Sequence, residues 1–226
     1  MLDLLHRNQW NEFQSAFDQL SQWDYYPLLL TTLEELKQEE LFVSHMHGLG
    51  HIERTILQGG FCAMDQDLSE SDTRLLLAAC SYHDVGRIND WVDDLHGHRS
   101  AQELARLTPY RGEELLLIQG AVDAHSRRDV VLEDTIDGYG AADRPRAIRL
   151  AKLLKDADGL DRARLGDLDP RYLRFDTSRS RVALAEAVYA AYQISVGNSP
   201  DPFFTKEQVS SFRAKGHKPG QNPDKS

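Results

Sequence analysis

From Leu75 the chain reads Leu-Leu-Leu-Ala-Ala and runs on through Cys80-Ser81-Tyr82 into His83-Asp84-Val85-Gly86. A segment apolar on all sides suits a helix buried in a core, and this one closes on an imidazole and a carboxylate. An unpaired charge buried there costs far more than one helix end gains. Neutral imidazole and carboxylate both ligate divalent cations, so an ion held in the interior is one solution. A helix-end histidine hydrogen-bonded to its neighbour is the other. The dipeptide alone is common and does not choose between them.

The remaining chain is built to supply such an interior. Its 226 residues suffice for one sizeable core, with room for a second small unit. Apolar residues at 41% and charged residues at 27% place it among ordinary globular proteins. A net charge of -10 disfavours bulk binding to nucleic acid or anionic membranes, though it permits a locally basic pocket. No apolar run is long enough to span a bilayer, and residues 1–10 lack a secretory signal pattern. Cys62 and Cys80 sit in apolar surroundings without a CxxC pattern, which predicts buried thiols in a reducing, cytoplasmic setting.

Hydrophobic spacing predicts helices almost throughout. Trp10, Phe13, Phe17 and Leu20 form an amphipathic stripe. Pro27 marks a break, and Thr32-x-x-Glu35 reads as a capping box for the next helix. The helix through His51 is expected to stop at Gly59-Gly60. Ser69 or Ser71 can cap the helix that ends in His83-Asp84. Further helices are expected over 100–107, closed by Pro109, and over 113–125. A Gly-bearing loop over 129–142 then leads to Asp143 and Pro145, which open a helix reaching Asp158. A long helix is expected over 182–196, with Thr205-x-x-Gln208 opening a short one and a disordered tail from Gly216. Period-2 strand runs, internal repeats and Gly-rich phosphate loops are not found. The fold class is all-α.

Around the doublet, chemistry-bearing residues recur in order. Upstream stands Ser44-His45-Met46-His47-Gly48-Leu49-Gly50-His51-Ile52-Glu53-Arg54-Thr55. Downstream come His96-Gly97-His98-Arg99-Ser100-Ala101, Asp123-Ala124-His125 and Lys155-Asp156-Ala157-Asp158-Gly159-Leu160-Asp161. In this order, residues 44–165 resemble the HD-domain superfamily of metal-dependent phosphohydrolases. Any single piece is a weak signal; the ordered set is strong. The resemblance implies a single-domain helical bundle with the metal site in its core. Residues 1–43 would pack on that core, 44–200 would form the metal-dependent hydrolase domain, and 201–226 would be a short helix and tail.

The resemblance matches His51, His83, Asp84 and Asp158 to the ligands of one metal. Superfamily members with two metals follow the order His, His-Asp, His, His, Asp, which adds His98 and His125 and makes Asp84 the bridge. A single-metal site, with His98 or His125 contacting substrate, is the alternative. His96 and His98 compete for one role, and the following Ser-Ala favours His98. Asp156 and Asp158 point about 200° apart on a helix, so only one can face the ion, and the Ala-Asp-x-Leu context favours Asp158. The roles of His45 and His47 stay open.

Mixed imidazole and carboxylate donors suit Mn, Fe, Co, Ni or Zn, with Mg also admitted, as one ion or two. The implied activity is hydrolysis of a nucleotide or related small phosphate ester by a metal-bound hydroxide. Phosphomonoesterase, phosphodiesterase and nucleotide pyrophosphohydrolase chemistry all fit. Asp84 and Lys155 are the catalytic candidates. Such a reaction needs positive charge at the phosphate, for which Arg54, Arg87, Arg127, Arg128, Lys155 and Arg162 are candidates. Lys155 leads because it precedes Asp158 on one helix, Arg54 is next, and Arg127 and Arg162 complete the expected substrate contacts. Two other classes compete: a mixed-valence di-iron oxygenase with the same ligand order, and a degenerate sensor or binding module.

Overall fold

The computed structural model describes residues 1–197 and, among them, contains helices and no strand. Three short N-terminal helices, α1 (Leu2–Arg7), α2 (Gln14–Gln22) and α3 (Tyr26–Glu34), lead into the bundle. The bundle comprises α4 (Leu49–Asp65), α5 (Glu70–Tyr82), α6 (His96–Leu107), α7 (Gly112–His125), α8 (Leu132–Asp137) and α9 (Arg144–Leu160). Two more, α10 (Asp176–Ser180) and α11 (Val182–Ser195), close the described chain. The expected helix opened by Thr205 and the tail from Gly216 lie outside the described residues. No helix among the described residues is long and apolar enough to cross a membrane.

Helices α4, α5, α7 and α9 pack on one another, and α6 lies along α7. The run Leu75, Leu76, Leu77 is buried, as expected of a helix apolar on every side. Ser69 caps α5, its hydroxyl accepting the Asp72 amide at 3.1 Å. Asp143 does the same for α9 by accepting the Arg146 amide at 3.2 Å. The aromatic stripe of the N-terminal region reaches the same core. Trp10 stacks on Phe17, and Phe17 meets Phe61 of α4 edge-on.

Four local expectations give way. Gly59-Gly60 does not end α4, which continues to Asp65. These glycines let neighbouring helices close in: a Cβ at Gly59 would stand 2.7 Å from Cys80 Sγ, and one at Gly60 would stand 3.1 Å from Leu29. Thr32 opens no helix; it lies within α3 and its hydroxyl donates to the Leu28 carbonyl. Pro27 instead occupies the first turn of α3, where its missing N–H costs nothing. The segment 129–142 carries α8, because Leu132 and Ile136 bury one short apolar face.

The connectivity gathers particular helix ends. The first turns of α4 and α6 carry His51 and His96. The last turns of α7 and α9 carry His125 and Asp158, and the doublet directly succeeds α5. Three helix C-termini therefore present their negative dipole ends at one end of the bundle.

Candidate metal centre

Four histidines meet at that end, each oriented from behind. His83 Nδ1 donates to the Cys80 carbonyl at 2.9 Å. His96 Nδ1 donates to the Asp93 carbonyl and His125 Nδ1 to that of Val122. Carbonyl oxygens only accept, so these nitrogens carry the protons. His51 Nδ1 faces Asp161 Oδ2 at 2.8 Å. Burial would raise the Asp161 pKa, but Arg54, His51 and Arg164 bring it down to about 2, so it too accepts. With Nδ1 occupied in this way, each ring in its neutral form presents the Nε2 lone pair inward.

Those lone pairs face one another. His51 Nε2 lies 3.0 Å from His83 Nε2, and His96 Nε2 lies 2.9 Å from His125 Nε2. Asp84 stands between the two pairs. Its Oδ2 is 3.5 Å from His51 and 3.8 Å from His83, while its Oδ1 is 3.1 Å from His96 and 3.7 Å from His125. Asp158 Oδ1 joins the first pair, at 3.4 Å from His51 and 3.8 Å from His83. Among these atoms Asp84 Oδ1 is buried and receives no hydrogen bond from the described residues.

Facing acceptors are arranged so that they could hold a cation between them. First-row divalent ions bind imidazole and carboxylate at about 2.0–2.2 Å, which separates neighbouring donors by roughly 3.0–3.5 Å. Most of the separations in the cluster fall in or near that range. His51, His83 and Asp158 form one group able to hold a metal ion, and His83, Asp84 and His125 form another. Protonation is disfavoured at His83 and His125 and favoured at His51. Burial holds His83 down to about 3 and also lowers His125. Burial and Arg164 oppose a proton on His51, yet Asp161 and Asp84 outweigh them and raise its pKa. Burial would raise Asp84, but His83 and the other imidazoles draw it well below the carboxylate range.

The structure assembles five of the six expected ligands and substitutes the sixth. His98 turns outward, half-exposed, with Nδ1 on Asp123 Oδ2 at 2.8 Å and Nε2 beside Gln102. His96 takes the place beside Asp84 because α6 begins four residues earlier than expected, which puts His96 in its first turn. Two close approaches make room: a Cβ on Gly86 would lie 2.4 Å from the Ser100 amide, and one on Gly97 would lie 2.6 Å from the Val122 carbonyl. Of the two neighbouring aspartates, Asp158 faces the histidines. Asp156 points away and accepts the amides of Arg174 and Phe175 at 2.8–2.9 Å, pinning residues 173–175. His47 is buried near His51, its Nδ1 on Asp90 at 2.8 Å, and burial pushes it down to about 4.

The expected phosphate contacts are not brought to the cluster. Lys155 Nζ donates to the carbonyls of Ala124, His125 and Arg127 and pairs with Asp129. Its ammonium thus caps carbonyls at and just beyond the C-terminus of α7, where the helix itself supplies no donor. Arg54 forks onto Asp161 at 2.6 and 3.1 Å. Arg127 pairs with Asp123, and Arg162 with Asp167. The cation beside the cluster is Arg87, whose Nε lies 2.9 Å from Asp84 Oδ2 without hydrogen-bond alignment. Its signal in the sequence is its spacing, three residues after Asp84.

Asp161 is a further member that motif order does not single out. It joins His51, Arg54 and Arg164 in one buried network, the carboxylate–histidine support that orients a ligating ring. Its signal is its place about one helical turn beyond Asp158. Comparison of the chain with protein-family models, curated proteins and solved structures returned no match.

Proposed function

We propose that the cluster is a two-metal centre bridged by Asp84, with His51, His83 and Asp158 on one ion and His96 and His125 on the other. The protein is then a metal-dependent phosphohydrolase of the HD-domain type, acting on a nucleotide or related small phosphate ester. One observation carries this reading: the two oxygens of Asp84 face two separate pairs of imidazole lone pairs. Exchanging His98 for His96 leaves the ligand order His, His-Asp, His, His, Asp unchanged.

Bound divalent cations supply Lewis acidity toward a phosphoryl oxygen and an acidified water as nucleophile. The chain's own residues do the rest. Asp161 holds the His51 ring by its Nδ1–H, and main-chain carbonyls hold the other three. Arg87 places a positive charge beside Asp84, which favours an anionic substrate. Lys155 orients His125 by gripping the carbonyls around it.

The test is a hydrolysis screen over nucleoside mono-, di- and triphosphates, cyclic nucleotides and simple phosphodiesters, with Mn, Co, Ni, Zn or Mg supplied. Wild type should turn over at least one class, and Asp84→Ala should fall to background. Equal background rates for both proteins across every compound overturn the reading. The same donor set also suits a di-iron oxygenase. That reading predicts a coloured iron protein that consumes oxygen and shows no metal-stimulated release of phosphate.

A further inference from the structure

Beside Arg54 and Arg164 lies a cavity of about 230 Å³. The segment of Ser44 to Met46, the start of α4, the turn at Arg164 and the inner face of α11 enclose it. None of the six clustered residues lines it. Among the described residues its arginines are Arg54 and Arg164, and none of the lining side chains is a carboxylate. In a chain of net charge -10 this is a concentrated positive site.

The two guanidinium groups share one counter-ion. Arg54 gives Nε and Nη2 to Asp161. Arg164 gives Nη1 to the same residue and Nε to the Met46 carbonyl. Among the described residues no acceptor takes Arg54 Nη1 or Arg164 Nη2, although both side chains are at most 7% exposed. The nearby acid, Glu53, is engaged by Tyr192 Oη at 2.8 Å. Two guanidinium groups that share one carboxylate leave a net positive charge beside the cavity.

The cavity is also kept open. Gly50 forms part of its wall, and a Cβ there would press on Tyr192 at 3.0 Å and on Arg54 Nη1 at 3.2 Å. Tyr189 and Tyr192 hold the Arg54 guanidinium against their rings, with its central carbon 5.2 and 4.8 Å from the centroids. That stacking fixes the direction of the free Nη1.

We infer that this cavity is a binding site for a small tetrahedral oxyanion of the phosphate class, held by Arg54 Nη1 and Arg164 Nη2. Arginine forks match phosphate geometry, and the volume is below the roughly 300–1,000 Å³ of sites for larger ligands. Inorganic phosphate or the phosphoryl end of a small ester fits the chemistry. The site is separate from the metal cluster and does not depend on phosphoester hydrolysis.

The test is calorimetric titration of chelator-treated, metal-free full-length protein with inorganic phosphate and, separately, acetate. Saturable binding of one phosphate per chain is expected. Affinity should fall roughly tenfold or more in Arg164→Gln, since a charged hydrogen-bond donor is lost. It should fall likewise in Leu49→Trp, which fills the cavity from its half-exposed rim without touching either charge. If Arg164→Gln fails to fold, Leu49→Trp still decides the matter. Arg87→Gln, altered beside the cluster, tests whether phosphate is held there instead. Absence of saturable binding overturns the inference, as does loss in Arg87→Gln with retention in Leu49→Trp. Equal affinity for acetate overturns the phosphate assignment.

Discussion

His96 and His98 differ by two positions and are separated completely by the fold. His96 stands 3.1 Å from Asp84, while His98 is held outside by Asp123 and Gln102. On the two-metal reading, metal analysis should fall from two ions per chain to one in His96→Ala and stay at two in His98→Ala. The opposite pattern would return the second ion to His98. Asp161 offers a sharper stability test. Asp161→Asn leaves Arg54 and Arg164 buried without their carboxylate, a defect of about 3–5 kcal/mol; urea unfolding of metal-free protein measures it. The core thiols give the pH dependence. Burial, then Asp156, lifts Cys62 to about 12, and burial lifts Cys80 as well. Between about pH 8.5, where an unfolded thiol ionises, and pH 12 the unfolded chain loses a proton that the folded chain keeps. That contribution is full below the window and disappears as pH rises through it. The melting temperature should fall above about pH 9, less steeply in Cys62→Ala, and an unchanged slope would count against the buried thiol.

Helices place the histidines, and glycines place the helices. Gly97 lets α6 lie close enough to α7 for His96 and His125 to come within 2.9 Å. Gly97→Ala would drive a methyl to 2.6 Å from the Val122 carbonyl and 2.7 Å from Ser126 Oγ. Overpacking of this kind costs about 1–3 kcal/mol. On the two-metal reading it should also loosen an ion at His96 and His125, leaving the other in place. Competition with a metal-sensitive dye would register one weakened site; two unaffected sites would mean that α6 can shift without moving its histidine. The glycines of α4 illustrate the same physics in reverse. They read as a helix end, yet Gly59 sits under Cys80 and Gly60 under Leu29 in an unbroken helix. A glycine terminates a helix through its backbone freedom and admits a neighbour through its missing side chain, and local sequence carries no mark of which use applies.

The bundle brings five segments, from α4 to α9, to one end, so a bound ion ties together parts of the chain far apart in sequence. Ligand that binds only the folded form stabilises by about 2.7 kcal/mol at a hundredfold excess over its dissociation constant. Chelation should therefore lower the melting temperature, and resupplied divalent metal should restore it. No shift on chelation would mean that no ion binds there. Much of this architecture is legible in the sequence. The apolar faces of α2, α5, α9 and α11 and the caps Ser69 and Asp143 can be read from spacing along single helices, whereas the grouping of His51, His83, Asp84, His125 and Asp158 is what the family resemblance implies. The opposed directions of Asp156 and Asp158 come from helical geometry alone. Beyond reach were the start of α6, the burial of Lys155 under the end of α7, and the pairing of Asp161 with two arginines. Each of these depends on contacts between segments distant in the chain. Periodicity and capping act within a few residues and set which face a helix buries. Hydrogen bonds and ion pairs between helices depend on which faces meet, and that is settled when the whole core closes.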